Sequence, residues 1–294
     1  MVYSLLGYGC WGIFPLYWKL FVAAAPLEVV CHRVLWSLGI LCGLVLWLGQ
    51  WEQVRRTLGN PRRLALLFIS ASALSVNWGL FIAAVKMERV VETGLGYFLC
   101  PIVSVFFAFL FLRERLHRLQ AAAVALAFAG VVLFGWNLGQ IPWIAIGLAF
   151  SFALYGLLRK TVPVDPMPGL LLETLLMTPI ALGIVTVMGQ RGETVFGVSW
   201  GWTLLFMSGG VVTTLPLIWF GKAAKLLPLA TLGILQYVTP CMQLLVGVVI
   251  FREPFSLREG SAFVLIWIAI GLYLWPMLRR GGGRAEEIVV MEDL

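Results

Sequence analysis

Charge is what this chain has least of. Only 12% of its 294 residues are Asp, Glu, Lys or Arg and 61% are hydrophobic, whereas a soluble domain carries about 25% charge. Residues 64–85, 93–112, 119–158, 174–190, 194–221, 226–251 and 260–278 contain no charge at all. A hydrocarbon layer about 30 Å thick needs roughly 20 such residues in a helix. Each run is about that long or can be cut in two. One soluble core could not hide so much apolar surface, so the chain reads as an integral membrane protein. Other absences narrow its chemistry. No G-x-x-x-x-G-K-[ST] loop occurs, so no ATPase of that type is built in. The two histidines, His32 and His117, are too far apart in sequence and depth for a zinc site. No Ser/His/Asp set stands out, and no cofactor or metal is expected. The five cysteines (Cys10, Cys31, Cys42, Cys100, Cys241) are odd in number, lack a C-x-x-C and sit in apolar runs. They read as small packing residues. Residues 1–20 lack a basic head and an A-x-A site, so a first membrane helix is expected there, not a cleaved signal.

What is present gives the organisation. The span rule places about ten helices, at 2–21, 26–49, 62–86, 92–112, 116–136, 141–160, 168–189, 198–222, 228–251 and 257–278. The long 119–158 run breaks at the turn cluster 137–142. The net charge of +7 comes from basic residues in short loops, where they act as topology signals and not as a nucleic-acid footprint. With the N-terminus inside, the inner loops receive Arg55, Arg56, Arg62, Arg63, Arg113, Arg115, Arg118, Arg159, Lys160, Lys222, Lys225, Arg279, Arg280 and Arg284. The outer loops receive Lys19, Lys86, Arg89, Arg191, Arg252 and Arg258, and Arg33 remains within a helix. Both termini are therefore expected in the cytoplasm, with 279–294 a solvated tail.

The chain also repeats itself. Pro101 and Glu114 are matched by Pro240 and Glu253 at an offset of 139, and at 140 Gly7 falls on Gly147 and Lys19 on Arg159. Five helices per half is an odd number, so the halves, 1–136 and 137–278, must enter the bilayer from opposite sides. Inverted repeats of this kind are a transporter architecture, with the solute path at the repeat interface.

Ionisable groups inside a membrane mark that path. Glu28, His32 and Arg33 stand near the outer start of the second helix, and Arg33 is roughly 10 Å along it from Pro26. Two readings are open. Arg33 snorkels to headgroups and pairs with Glu28, or it faces a wet cavity and holds an anionic group. Glu173, opposite Arg33 under the 140 offset, is either a coupling carboxyl or a helix-start acid favoured by the helix dipole. Inverted symmetry sets the two at different depths, so a direct Arg33–Glu173 pair is not expected. Asn77 and Gln236 need partners in lipid, either an interhelical bond or a cavity contact. Pro15, Pro101, Pro179, Pro216 and Pro240 each free a backbone carbonyl and bend a helix. Gly39-x-x-x-Gly43 permits close packing. Trp11, Tyr17, Trp18, Trp36 and Trp78 lie on the first three helices near Arg33 and suit the lining of a pocket.

These motifs resemble a known family. Trp11-Gly12-Ile13-x-Pro15-x-Tyr17-x-Lys19, Glu28-x-x-x-His32-Arg33-x-x-Trp36-Ser37, Asn77-Trp78 and Leu95-Gly96-Tyr97-Phe98-x-x-Pro101 are similar to the RarD proteins of the EamA branch of the drug/metabolite transporters. The second half agrees in Tyr155-Gly156-Leu157-x-Arg159-Lys160, Glu173-Thr174, Thr213-Thr214-x-Pro216-Leu217 and Leu232-Gly233-x-x-Gln236-Tyr237-x-x-Pro240. The family usually has a short polar segment before its first helix, which is missing here. The resemblance implies an all-α fold of two five-helix EamA repeats in the bacterial inner membrane. It implies a permease for a small organic solute, amino-acid-like or a drug; some members carry the label "chloramphenicol-sensitive protein". The candidate binding residues are Arg33, His32, Asn77, Trp78, Tyr97, Gln236 and Tyr237, with Glu173 and Glu28 as candidates for proton coupling. The expected partners are the solute and the bilayer, with no nucleic acid, and the expected state is monomer or homodimer. Rival readings are a membrane enzyme on lipid-like substrates and a non-transporting membrane partner.

Overall fold

A computed structural model describes residues 1–87, 90–116, 118–136, 142–252, 264, 267–273 and 275. The predicted turn at 137–142 lies almost wholly outside them. So do Glu253, His117, most of the tenth predicted helix and the 279–294 tail. The described chain is all-helical: α1 (Val2–Trp18), α2 (Pro26–Trp47), α3 (Trp51–Leu58), α4 (Pro61–Lys86), α5 (Val90–Leu112), α6 (Arg118–Trp136), α7 (Trp143–Thr161), α8 (Pro166–Gln190), α9 (Trp200–Leu226), α10 (Leu229–Leu235) and α11 (Val238–Leu245). Among the described residues, seven helical stretches are long and apolar enough to cross a membrane.

Local chemistry sets the boundaries. Pro26 and Pro166 open α2 and α8, where a missing N–H is harmless and the fixed φ suits a helix. Ser199 caps α9 by accepting from the Trp202 N–H at 3.3 Å. Gly49, at φ +67°, turns the chain out of α2. The short helix α3 follows, a segment the apolar-run reading passes over because it is charged. Its Val54 and Thr57 are buried, while Arg56 and Glu52 pair at 2.9 Å in solvent.

The predicted ninth helix, 228–251, is not continuous. It divides into α10, α11 and a π-helical turn, Val246–Ile250. At the first break the Gln236 N–H bonds the Gly233 carbonyl in a tighter turn. The Leu232 carbonyl then accepts from the Tyr8 hydroxyl at 2.9 Å. Nearby, the Tyr237 hydroxyl donates to the Phe98 carbonyl at 3.0 Å and Thr239 to the Tyr8 carbonyl at 2.9 Å. Buried hydroxyls in an apolar interior need such partners, and these tie α1, α5 and α10–α11 together.

Helices from early and late in the chain interleave. α1 packs on α9 and α11, α2 lies between α8 and α9, and α4 and α5 pack on α7. Carboxylates pin both ends. At one end, rich in loop arginine and lysine, Arg113 adopts φ +54° and turns Glu114 back. Its two oxygens accept from the Leu229 and Ala230 N–H groups at 2.8 and 3.1 Å. At the opposite end Glu28 Oε1 accepts from the Val195 and Phe196 N–H groups, both at 2.9 Å.

Candidate functional site

A gap in the described interior lies between α2, α4, α8 and α9. It offers about 30 Å³ to the centre of a water-sized sphere, enough for a water or two but not for an organic solute. Its walls are mostly apolar: Val34, Leu41, Leu74, Leu170, Met177 and Leu217. Its polar lining is Ser37, Ser75, Glu173, Thr174, Thr213 and Thr214.

Arg33 meets this cavity through two of its wall residues. Its Nε donates to Thr213 Oγ1 at 2.8 Å, and its guanidinium lies 4.9 Å from the Trp78 ring. The Trp18 ring lies 4.7 Å away. Indole faces attract a guanidinium, and Arg33 is half-buried among aromatic rings. Tyr17 and Tyr97 are its other polar neighbours. Among the described residues no carboxylate pairs with it. The reading in which Glu28 is its partner does not match the geometry, because Glu28 Oε1 is taken by the α8–α9 loop.

Glu173 is in the cavity wall but belongs to a second constellation. It sits seven residues beyond Pro166 and is 2% exposed, too deep to be a helix-start acid at an interface. Arg159, at the end of α7 and equally buried, approaches its Oε1 at 3.4 Å. Arg159 Nη2 also donates to the Pro166 carbonyl at 2.7 Å. Two glycines make room. A Cβ at Gly169 would collide with Arg159 Nη1, and one at Gly221 would stand 3.0 Å from Nη2. The cluster is incompletely bonded. Arg159 Nε and the neighbouring Tyr155 hydroxyl are buried with no hydrogen-bond partner, and the Ser70 hydroxyl stands beside the Glu173 carboxylate without closing a well-formed bond to Oε2.

The other sequence candidates lie elsewhere. Asn77 donates to the Leu148 carbonyl at 2.9 Å and to Ser151 at 3.0 Å, joining α4 to α7. His32 stacks on Phe196 with centroids 4.3 Å apart. Gln236 accepts from the Cys100 thiol at 3.4 Å and borders a gap of only about 10 Å³. Tyr237 is buried against Phe98. The cavity wall thus holds Trp78 and Glu173, with Arg33 behind it on Thr213 and Trp78, and not Asn77, His32, Glu28, Gln236 or Tyr237. Sequence reasoning missed Thr213 and Thr214, and placed Arg159 among the loop cations.

The basic end is laced shut around this cluster. Lys160 Nζ donates to the Leu227 carbonyl at 2.6 Å. Lys225 Nζ donates to the carbonyls of Lys160 and Val162.

Comparison with known proteins agrees with this architecture. Residues 1–136 match the EamA-like transporter family. The protein RarD of Streptomyces exfoliatus is 41% identical over 280 residues, covering 95% of this chain and 89% of its own. YojE of Bacillus subtilis, described as a transporter, is 39% identical over 282 residues, covering 95% and 94%. One solved crystal structure superposes with a TM-score of 0.72 at 18% identity, covering 95% of this chain and 97% of its own, which shows a shared fold. The chain belongs to the EamA-like transporter family, among its RarD proteins.

Proposed function

We propose that this EamA-like family member is a secondary transporter that moves a small organic solute across the bacterial inner membrane by alternating access. The observation that carries the reading is the cavity between α2, α4, α8 and α9, with Glu173 and Trp78 in its wall and Arg33 bonded to its wall residue Thr213. An uncompensated cation is costly in an apolar interior and marks a solute path. The gap in this conformation is too small for a solute, so passage requires the helices around it to part.

The halves 1–136 and 137–278 are read as inverted repeats. Three features support this. Arg113 and Arg252 both take positive φ, 54° and 55°, at the 139 offset. Phe98 and Tyr237, equivalent at that offset, touch each other, as residues on a two-fold axis would. The packing of α4 on α7 has its counterpart in α1 on α9. The arginine- and lysine-rich end is assigned to the cytoplasm, and with it both termini.

Glu173 is the proposed coupling carboxyl. Its proton would compete with Arg159 for the carboxylate, so gain of a proton loosens the pair beside the laced end. Purified protein in proteoliposomes, loaded with a labelled solute library and held with and without a pH gradient, tests the function. Concentrative flux that collapses with the gradient supports the reading, and absence of any flux above empty liposomes refutes it.

A further inference from the structure

The geometry around Arg33 points to the class of solute: we infer that the corridor takes an amphiphilic monocarboxylate, gripped end-on by the free edge of the Arg33 guanidinium. This deepens the transporter reading and rests on it. A guanidinium has two faces and a fork of donors. Here Trp18 and Trp78 lie within 4.7 and 4.9 Å of its centre, and Nε is spent on Thr213. What remains is the pair of Nη groups, and no carboxylate among the described residues takes them. Two parallel N–H donors match the two oxygens of a planar carboxylate, and flanking rings hold the fork in one orientation.

The rest of the cavity sets the remainder of the molecule. Val34, Leu74, Met177 and Leu217 offer apolar walls, which suit an apolar body. Elsewhere in the wall Glu173 Oε2 and Thr214 Oγ1 are buried without a well-formed hydrogen bond, the Ser70 hydroxyl standing beside Glu173. Glu173 Oε2 favours a donor such as a hydroxyl there. A second carboxylate would set oxygen against oxygen. A solute with a cationic head finds no acid beside Arg33 to receive it.

The test measures binding, independently of transport, by calorimetry on the full chain in nanodiscs. The probes are 3-phenylpropanoate, its primary amide, its 4-hydroxy analogue and its 4-carboxy analogue. Charge-assisted bidentate recognition predicts that the carboxylate binds at least about tenfold more tightly than the amide. The 4-hydroxy compound should bind a few-fold more tightly still and the 4-carboxy compound more weakly. Arg33→Lys keeps the charge but loses the fork, and should erase most of the carboxylate preference over the amide. Equal binding of acid and amide, or a preference that persists in Arg33→Met, overturns the inference. So does carboxylate binding that disappears in phosphatidylglycerol discs but not in phosphatidylcholine discs, which would assign the fork to an anionic lipid headgroup. Flux of other solutes without carboxylate preference removes this inference alone. Carboxylate binding without any flux removes the transporter reading instead.

Discussion

α2 and α8 begin alike, each with proline at its first turn and a charged side chain seven residues on, yet the two charges are treated in opposite ways. Glu173 on α8 is met by Arg159 at 3.4 Å, and both are almost fully buried. Arg33 on α2 is met by two indoles and a threonine hydroxyl, and keeps its charge. The residue at the Arg159 position in the first half, under the 140 offset, is Lys19, which cannot neutralise an arginine and instead lies 4.1 Å from the Phe251 ring. Position along the helix is therefore a poor guide to how a charge is held. What separates the two charges is the counter-ion: Arg159 reaches Glu173, and among the described residues no carboxylate reaches Arg33.

The largest expected effect falls on the neutralised side. Arg159→Met leaves Glu173 buried without its partner, and breaking such a pair costs about 3–5 kcal/mol. Arg159→Met combined with Glu173→Leu should recover most of that loss. Denaturant or thermal unfolding of the reconstituted protein reads both, and additive losses in the double variant would show that the two charges are not coupled.

Removing the loop clamps comes next. Glu28→Ala and Glu114→Ala each lose a carboxylate that accepts from two backbone N–H groups, worth about 1.5–3 kcal/mol for a charged acceptor. A Glu28→Ala protein as stable as the parent would show that this carboxylate does not hold the loop.

Arg33→Met should be milder for the fold, about 1–2 kcal/mol, since it forfeits cation–π contacts and one hydrogen bond but strands no opposite charge. A loss as large as that of Arg159→Met would mean that Arg33 has a hidden counter-ion and would erase the contrast between the two sites. Asn77→Ala should have the smallest effect, about 0.6–1.7 kcal/mol from two interhelical hydrogen bonds in a membrane interior, with solute binding unchanged. Altered binding in that variant would extend the site toward α7.

Much of the fold was legible because lipid imposes a simple rule: uncharged runs near 20 residues become helices. α4, α5, α8 and α9 follow it to within a few residues. α3 escaped because its helix is stabilised by Val54 and Thr57 against the protein while its arginines face out, a pattern that a search for uncharged runs discards. The division at Gln236 and Tyr237 depends on which neighbouring hydroxyl reaches the Leu232 carbonyl, and Tyr8 is remote in sequence. Arg33 and Glu173 stood out as charges inside apolar helices. Their partners did not, because Thr213, Arg159 and the Val195–Phe196 backbone are chosen by packing between helices that no local pattern records.

The central claim is that Arg33 borders the solute path. Its most direct test is the initial rate of gradient-driven uptake by Arg33→Ala in proteoliposomes, beside the parent protein at equal folded amount and using the tightest-binding carboxylate probe. The account predicts loss of at least about tenfold, as expected when a charge-assisted bidentate contact is removed, with the fold retained. Uptake at the parent rate by a fully folded Arg33→Ala protein would contradict it.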